Sequence, residues 1–330
     1  MPSVVNEHNR DVLALYGISL KKEHKAASIM RLKDAESDIR INRGLYEKLI
    51  NAIDSNSSIN NCISLPKVTF GIEFEFVGSH APKDLQKFNS AMSKLLQDKY
   101  FFYSGTYTHN GGTSWILGCD GSINTSDSNL ANPFGCELSS PKLDLYNVSD
   151  IETVSTIIDY AKQYLHAYVN KSCGTHIHIG FKHSNIFRGS LCDLLTAYSF
   201  MEKTVFDPIV PTSRRRNKYC KQTQPMPRNK YQKLSTRFCD FTYDGECSDL
   251  HFEFRQLEGT LDLNTILYWT ELQTYVLYDL LDHIDDLSYI KSLMKKNIFE
   301  ILFHYNFNSS LINFFINRVI EFKSRTILQS

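Results

Sequence analysis

The stretch Val68-Thr-Phe-Gly-Ile-Glu-Phe-Glu-Phe-Val77 decides how the rest of the chain is read. Side chains on a strand alternate between faces, so an extended reading puts Ile72, Phe74 and Phe76 on one side and Glu73 and Glu75 on the other. Two later stretches split the same way. In Gly174-Thr-His-Ile-His-Ile-Gly-Phe181, Ile177, Ile179 and Phe181 oppose His176 and His178; from Leu250 to Leu257, Phe252 and Phe254 oppose His251, Glu253 and Arg255. A solvated outer face of an antiparallel sheet is the ordinary explanation for any one of these rows. Taken together they hold no lysine or threonine, and carboxylates stacked side by side repel unless a cation neutralises them. Magnesium takes oxygen ligands and commonly links carboxylates to substrate phosphates. Several glutamates with one histidine suit magnesium or manganese better than structural zinc.

Outward from these strands, helical spacing predicts helices from Pro82 to Lys99, over Asp150–Val169, from Ser190 to Phe206 and from Asn264 to Ile284. The last 40 residues read as one or two helices. Asp120-Gly-Ser-Ile123 reads as a turn before a strand, and a lone aspartate there is ordinary turn chemistry. Glu137 lies in the small and apolar stretch Gly135-Cys-Glu-Leu-Ser-Ser-Pro141, and Arg214-Arg-Arg-Asn-Lys-Tyr-Cys-Lys221 reads as a basic loop. That loop is either solvated or placed to neutralise phosphate oxygens, which planar arginine forks suit. The expected organisation is an N-terminal helical extension over 1–65, a catalytic domain over 66–285 and a C-terminal helical segment over 286–330.

Composition narrows the function. Lysine plus arginine equal aspartate plus glutamate at 36 each in 330 residues, which argues against nucleic acid or an anionic membrane as partner. No basic-then-apolar leader and no apolar run of about 18 residues occurs, so the expected location is cytoplasmic. Eight cysteines form no C-x-x-C pair and read as reduced small residues. The chain has neither G-x-x-x-x-G-K-[ST] nor G-x-S-x-G, against a P-loop and a serine hydrolase. Cys173 and His176 could pair as nucleophile and base on paper, but a buried cysteine at a glycine-flanked turn is the simpler reading.

Read in order, these segments resemble the amidoligase family, a branch of the glutamine synthetase and γ-glutamylcysteine ligase superfamily, over roughly residues 66 to 285. The resemblance is carried by Phe70-Gly-Ile-Glu-Phe-Glu, Trp115 with Asp120-Gly-Ser, Cys136-Glu-Leu-Ser-Ser-Pro, Asn170-Lys-Ser-Cys-Gly-Thr-His-Ile-His-Ile-Gly180, Ser213-Arg-Arg-Arg-Asn-Lys-Tyr, and Glu253-Phe-Arg-Gln-Leu-Glu-Gly-Thr-Leu-Asp262 with Trp269. It implies an α+β, glutamine synthetase-like catalytic domain: a curved antiparallel sheet with helices on the convex face and metals with ATP on the concave one. It implies metal-ligand roles for Glu73, Glu75, Glu137, His176 and Glu253, and places His178 near the ATP phosphates. Arg255 resembles the arginine that stabilises the transferred phosphate or a substrate carboxylate. Arg214, Arg216 and Lys218 fall where the family contacts phosphate, and Asp120 is placed to orient the amine. The segment Arg237-Phe-Cys-Asp-Phe-Thr242 departs from the family pattern, which often has an asparagine there.

The implied reaction is an ATP- and Mg2+-dependent joining of a carboxylate (an amino acid, peptide or protein) to an amine, with Mn2+ as a possible substitute. Two other readings share the residues: a metal-dependent amide hydrolase, and a non-catalytic relative that only binds ligand.

Overall fold

A computed structural model describes residues 68–97, 99–102, 113–182, 188–215, 217–224, 238–240, 249–305 and 307–327. The N-terminal helical extension over 1–65 and Arg216 lie outside the described residues.

Among the described residues, eight strands form one sheet in the order β2-β3-β4-β1-β6-β8-β7, with β5 pairing the start of β1 beyond the end of β4. They are β1 (Val68–Ser79), β2 (Tyr100–Phe102), β3 (Trp115–Cys119), β4 (Pro133–Ser139), β5 (Leu143–Asp144), β6 (Gly174–Lys182), β7 (Phe238–Asp240) and β8 (Asp249–Glu258). Only β2 and β3 run parallel; every other described pairing is antiparallel. The break between β4 and β5 is bridged by Ser140, whose hydroxyl accepts from the Ile72 amide at 2.8 Å in place of a ladder carbonyl.

The apolar rows all point one way. Phe70, Ile72, Phe74 and Phe76 of β1, Ile177 and Ile179 of β6, and Phe252 and Phe254 of β8 are buried in one core. The helices that cover them follow from their own patterning. They are α1 (Pro82–Leu96), α2 (Val148–Tyr164), α3 (Arg188–Met201) and α5 (Leu263–Asp282), after the single turn α4 (Thr212–Arg215). Val154, Ile157, Ile158 and Ala161 of α2 and Ile266, Trp269, Leu272 and Val276 of α5 join the same core. Asp262 caps α5 by accepting from the Thr265 amide at 2.9 Å, and Asn147 caps α2. The chain is thus α+β, with a mainly antiparallel sheet whose apolar face is packed by helices.

Two structural features differ from the sequence expectation. α3 stops at Met201 and continues as a π-helical turn, Glu202–Phe206, with Glu202 fully buried and bonded to the amide and hydroxyl of Thr223. The Asp120 turn closes β3 rather than opening a strand; the next strand starts at Pro133. The last 40 residues hold two helices, as expected, α7 (Ile298–His304) and α8 (Ser309–Ile327), preceded by the short α6 (Leu287–Leu293); Asp286 and the Asn297–Glu300 capping box start α6 and α7. No helix among the described residues is long and apolar enough to cross a membrane.

The last helices share the core of the sheet, and one side chain fastens them. Arg318 of α8 donates to the Ile209 carbonyl at 2.9 Å and to the Glu258 carboxylate at 2.6 Å, with its guanidinium over the rings of Trp269 and Phe322. Arg318→Ala removes two charge-assisted bonds and apolar packing, so urea unfolding should show a loss of about 2–3 kcal/mol. An unchanged midpoint would contradict this role.

Candidate active site

The opposite face of β1, β6 and β8, joined by β4, carries the polar rows, and the registers bring them side by side. Glu73 stands between Ser139 of β4 and His176 of β6, Glu75 faces Glu137 of β4, and His178 faces Glu253 of β8. Between Thr175 and Ile177 the β6–β8 ladder contains a bulge: Thr175 pairs Leu257 and Ile177 pairs Phe254, so Arg255 and Gln256 share the place opposite His176. The two take opposite sides. Arg255 stays with the polar row, while Gln256 is buried towards the helices, where its Oε1 accepts from the Tyr198 hydroxyl at 2.7 Å.

His176, 1% exposed, is the hub. Its Nδ1 lies 2.8 Å from Glu73 Oε2 and 3.3 Å from Glu253 Oε1, and its Nε2 lies 3.2 Å from Glu75 Oε1. His178 Nε2 is 3.2 Å from Glu73 Oε1. Glu75 also accepts from the Gly174 amide at 2.5 Å. Glu253 is bound by Arg255 Nη1 at 2.5 Å, and Arg255 Nε donates to the Tyr219 carbonyl at 3.1 Å.

Two groups of oxygen and nitrogen donors are close enough to hold a cation: Glu73, His178 and Glu253, and Glu75, Asp120 and Glu137, each with its donor atoms within 4.8 Å of one another. The electrostatics of the face fit that role. Burial raises the Glu73 carboxyl, but the charge of His178 and hydrogen bonds from both histidines outweigh it and hold the group well below the usual carboxylate range. Burial also lowers His178, yet the charge and hydrogen bond of Glu73 leave it raised. Glu137 has no such partner. Burial first, then the charges of Glu73, Glu75 and Asp120, push its carboxyl up to about 9, with Arg255 only partly opposing them. At Glu137 the neighbouring carboxylates outweigh the one guanidinium in reach, and hard divalent cations are the natural complement of such a donor set.

That excess charge sets a pH dependence. Without cation, folded protein keeps a proton on Glu137 that the unfolded chain, with a carboxyl near 4.5, has released. The raised His178 acts in the same direction. Metal-free stability should therefore fall as pH rises from about 5 to about 9. Thermal unfolding in chelator should show the midpoint falling over that range, and saturating Mn2+ should flatten the fall. A chelator profile as flat as the Mn2+ profile would contradict the assignment.

Arg214 is buried at 2% exposure, and its guanidinium crosses β6 where the side chain of residue 174 would project. A Cβ on Gly174 would lie 2.7 Å from Arg214 Nη2. That nitrogen donates to the Arg255 carbonyl, and Nε has no hydrogen-bond partner. Lys218 does not join the carboxylates: it is exposed, with its ammonium 4.6 Å from the Tyr219 ring centre. Asp120 accepts from the Ser122 amide at 2.7 Å and stands with Glu75 and Glu137. The sequence reading missed the turn 217–220, which fixes Arg255 through the Tyr219 carbonyl and through the Cys220 thiol donating to the Arg255 carbonyl. Backbone contacts of this kind leave no mark in a side-chain pattern.

An α+β sheet with one helix-packed face and one buried face of carboxylate, imidazole and guanidinium defines a candidate cation-binding enzyme. A family model described as "Putative amidoligase enzyme" matches residues 66–243, more than half of the chain, and the chain belongs to that family of ligase-type enzymes. The match includes Glu73, Glu75, Asp120, Glu137, His176, His178 and Arg214 and ends before Glu253 and Arg255. No curated protein matches the chain.

Proposed function

We propose that the chain is an ATP-dependent carboxylate–amine ligase using Mg2+ or Mn2+, built on a glutamine synthetase-like domain over 66–285 whose polar face is a concave catalytic surface. The observation that carries this reading is the shared face: four glutamates, two histidines and Arg255 on adjacent strands, with Arg214 of α4 reaching the same face and Glu137 crowded by the charges of Glu73, Glu75 and Asp120. Family membership supplies the ligase class.

In this reading Glu73, Glu75, Glu137 and Glu253 would hold two divalent cations, with His178 adding an imidazole on the Glu73 side, while His176, expected from the sequence as a ligand, has carboxylates at both ring nitrogens and ties the glutamates together. Bound ATP supplies the phosphoryl group that turns a carboxylate, whose oxide is a poor leaving group, into an acyl phosphate open to attack by an amine. The chain's own groups position and neutralise. Arg255, braced by Glu253 and the Tyr219 carbonyl, faces the moving negative charge. Arg214, held over Gly174, offers a second fixed guanidinium, and Asp120 adds a third carboxylate to the cation group at the Glu75 end. Helices α6 to α8 buttress the sheet from its apolar side.

The experiment is an ADP-release screen of the full chain with ATP and Mg2+ against paired carboxylate and amine compounds. Release that needs both compounds supports the proposal. Amide cleavage that proceeds without ATP would replace it with the hydrolase reading.

A further inference from the structure

Cys119 ends β3 and Cys136 lies within β4, and the register sets them directly opposite each other. The next pair along, Asp120 and Gly135, is joined by the Asp120 amide donating to the Gly135 carbonyl at 2.9 Å. In an antiparallel ladder, hydrogen-bonded and non-hydrogen-bonded pairs alternate, so Cys119–Cys136 is a non-hydrogen-bonded pair. Such pairs have Cα atoms about 4.5 Å apart and the closest side chains, within the range a disulfide spans. Both side chains are on the helix-facing side: Cys136 alternates with the site residue Glu137 and packs in the core, with Cys119 against the same core. Cys119 is partly exposed and Cys136 has no exposure, and both are free thiols. The residues that follow them, Asp120 and Glu137, supply two of the three carboxylates in the second cation group.

We propose that Cys119 and Cys136 are a redox modification site, forming a reversible disulfide that alters cation binding at Glu75, Asp120 and Glu137. The co-reactant is a small disulfide such as oxidised glutathione. The Cys119 thiolate attacks one of its sulfurs, releasing one reduced thiol, and Cys136 then attacks the mixed disulfide, releasing the second. Two protein thiols lose two electrons and two protons, and one small disulfide is reduced to two thiols. The bond ties β3 to β4 directly behind Glu137 and Asp120, whose spacing the second cation group depends on. The effect on cations rests on the ligase reading; formation of the bond does not.

The test treats the full chain with oxidised glutathione, alkylates the remaining thiols and maps cross-linked peptides without reduction. The expected result is a Cys119–Cys136 cross-link in the wild type and in Cys173→Ser, its loss in Cys119→Ser, and its reversal by dithiothreitol. Mn2+ affinity of the oxidised wild type should change at least ~3-fold, while Cys119→Ser given the same treatment keeps the affinity of the reduced protein. Cys119 and Cys136 both recovered fully alkylated, Cys136 linked instead to Cys173, or a cross-link that leaves Mn2+ affinity unchanged would each overturn the proposal. Reduced protein that binds no Mn2+ would count against the ligase reading and against the cation effect, while the cross-link map would still decide the bond itself.

Discussion

Glu253→Ala should lower amine-dependent ADP release by ~10²-fold or more while the protein keeps its fold. Glu253 is 2% exposed and touches three members of the site: Arg255 at 2.5 Å, His176 at 3.3 Å, and His178 as its partner across β6 and β8. Removing it takes a donor from the first cation group and leaves Arg255 without the carboxylate that aims it. The fold should survive because Glu253 lies on the polar row, and the core residues beside it, Phe252 and Phe254, are untouched. Removing one carboxylate from an over-acidic face also relieves repulsion, so the metal-free variant should unfold at or above the wild-type midpoint. Glu75→Ala should behave alike, because Glu75 belongs to the second cation group and holds the Gly174 amide. Turnover within a few-fold of wild type in either variant, with Mg2+ present, would remove the site from the mechanism.

The second large effect is expected from a residue with no side chain. A β-carbon at 174 meets the flexible end of Arg214 rather than backbone, with Nη2 at 2.7 Å and Cζ at 3.0 Å. The arginine can move, so Gly174→Val should fold. In moving it leaves the polar face and its bond to the Arg255 carbonyl. Misplacing a charge-stabilising group by about 1 Å costs on the order of 10²-fold in rate, and that is the loss expected in kcat. Divalent-cation affinity should change far less, since the carboxylates remain in place. Gly174→Val with wild-type turnover would show that Arg214 takes no part.

How much of this was legible in the chain depends on the distance over which each feature is determined. The two-faced character of β1, β6 and β8 is local, fixed by a side-chain period of two, and each appears where the sequence places it. That Glu75 faces Glu137, or that Glu73 lies between Ser139 and His176, depends on pairing between distant segments and becomes visible only in the sheet. Arg214 shows the same limit. Its charge run resembles a solvated loop, and only the gap above Gly174 makes it a buried guanidinium. The division of the two histidines is also tertiary. His176 takes carboxylates at both ring nitrogens, from Glu73 and Glu75 of the neighbouring β1, whereas His178 joins Glu73 and Glu253 as a donor. The C-terminal apolar spacing reads as helical, and the caps at Asp286 and Asn297 set where α6 and α7 begin.

The central claim, that this face activates a carboxylate for attack by an amine, is tested most directly by following a carboxylate oxygen. With a substrate pair from the ADP-release screen, the carboxylate is labelled with heavy oxygen and the inorganic phosphate formed is examined by mass spectrometry. Passage through an acyl phosphate transfers one labelled oxygen to phosphate for each amide made, and that is the result predicted. Phosphate that carries no label while amide accumulates would contradict the account.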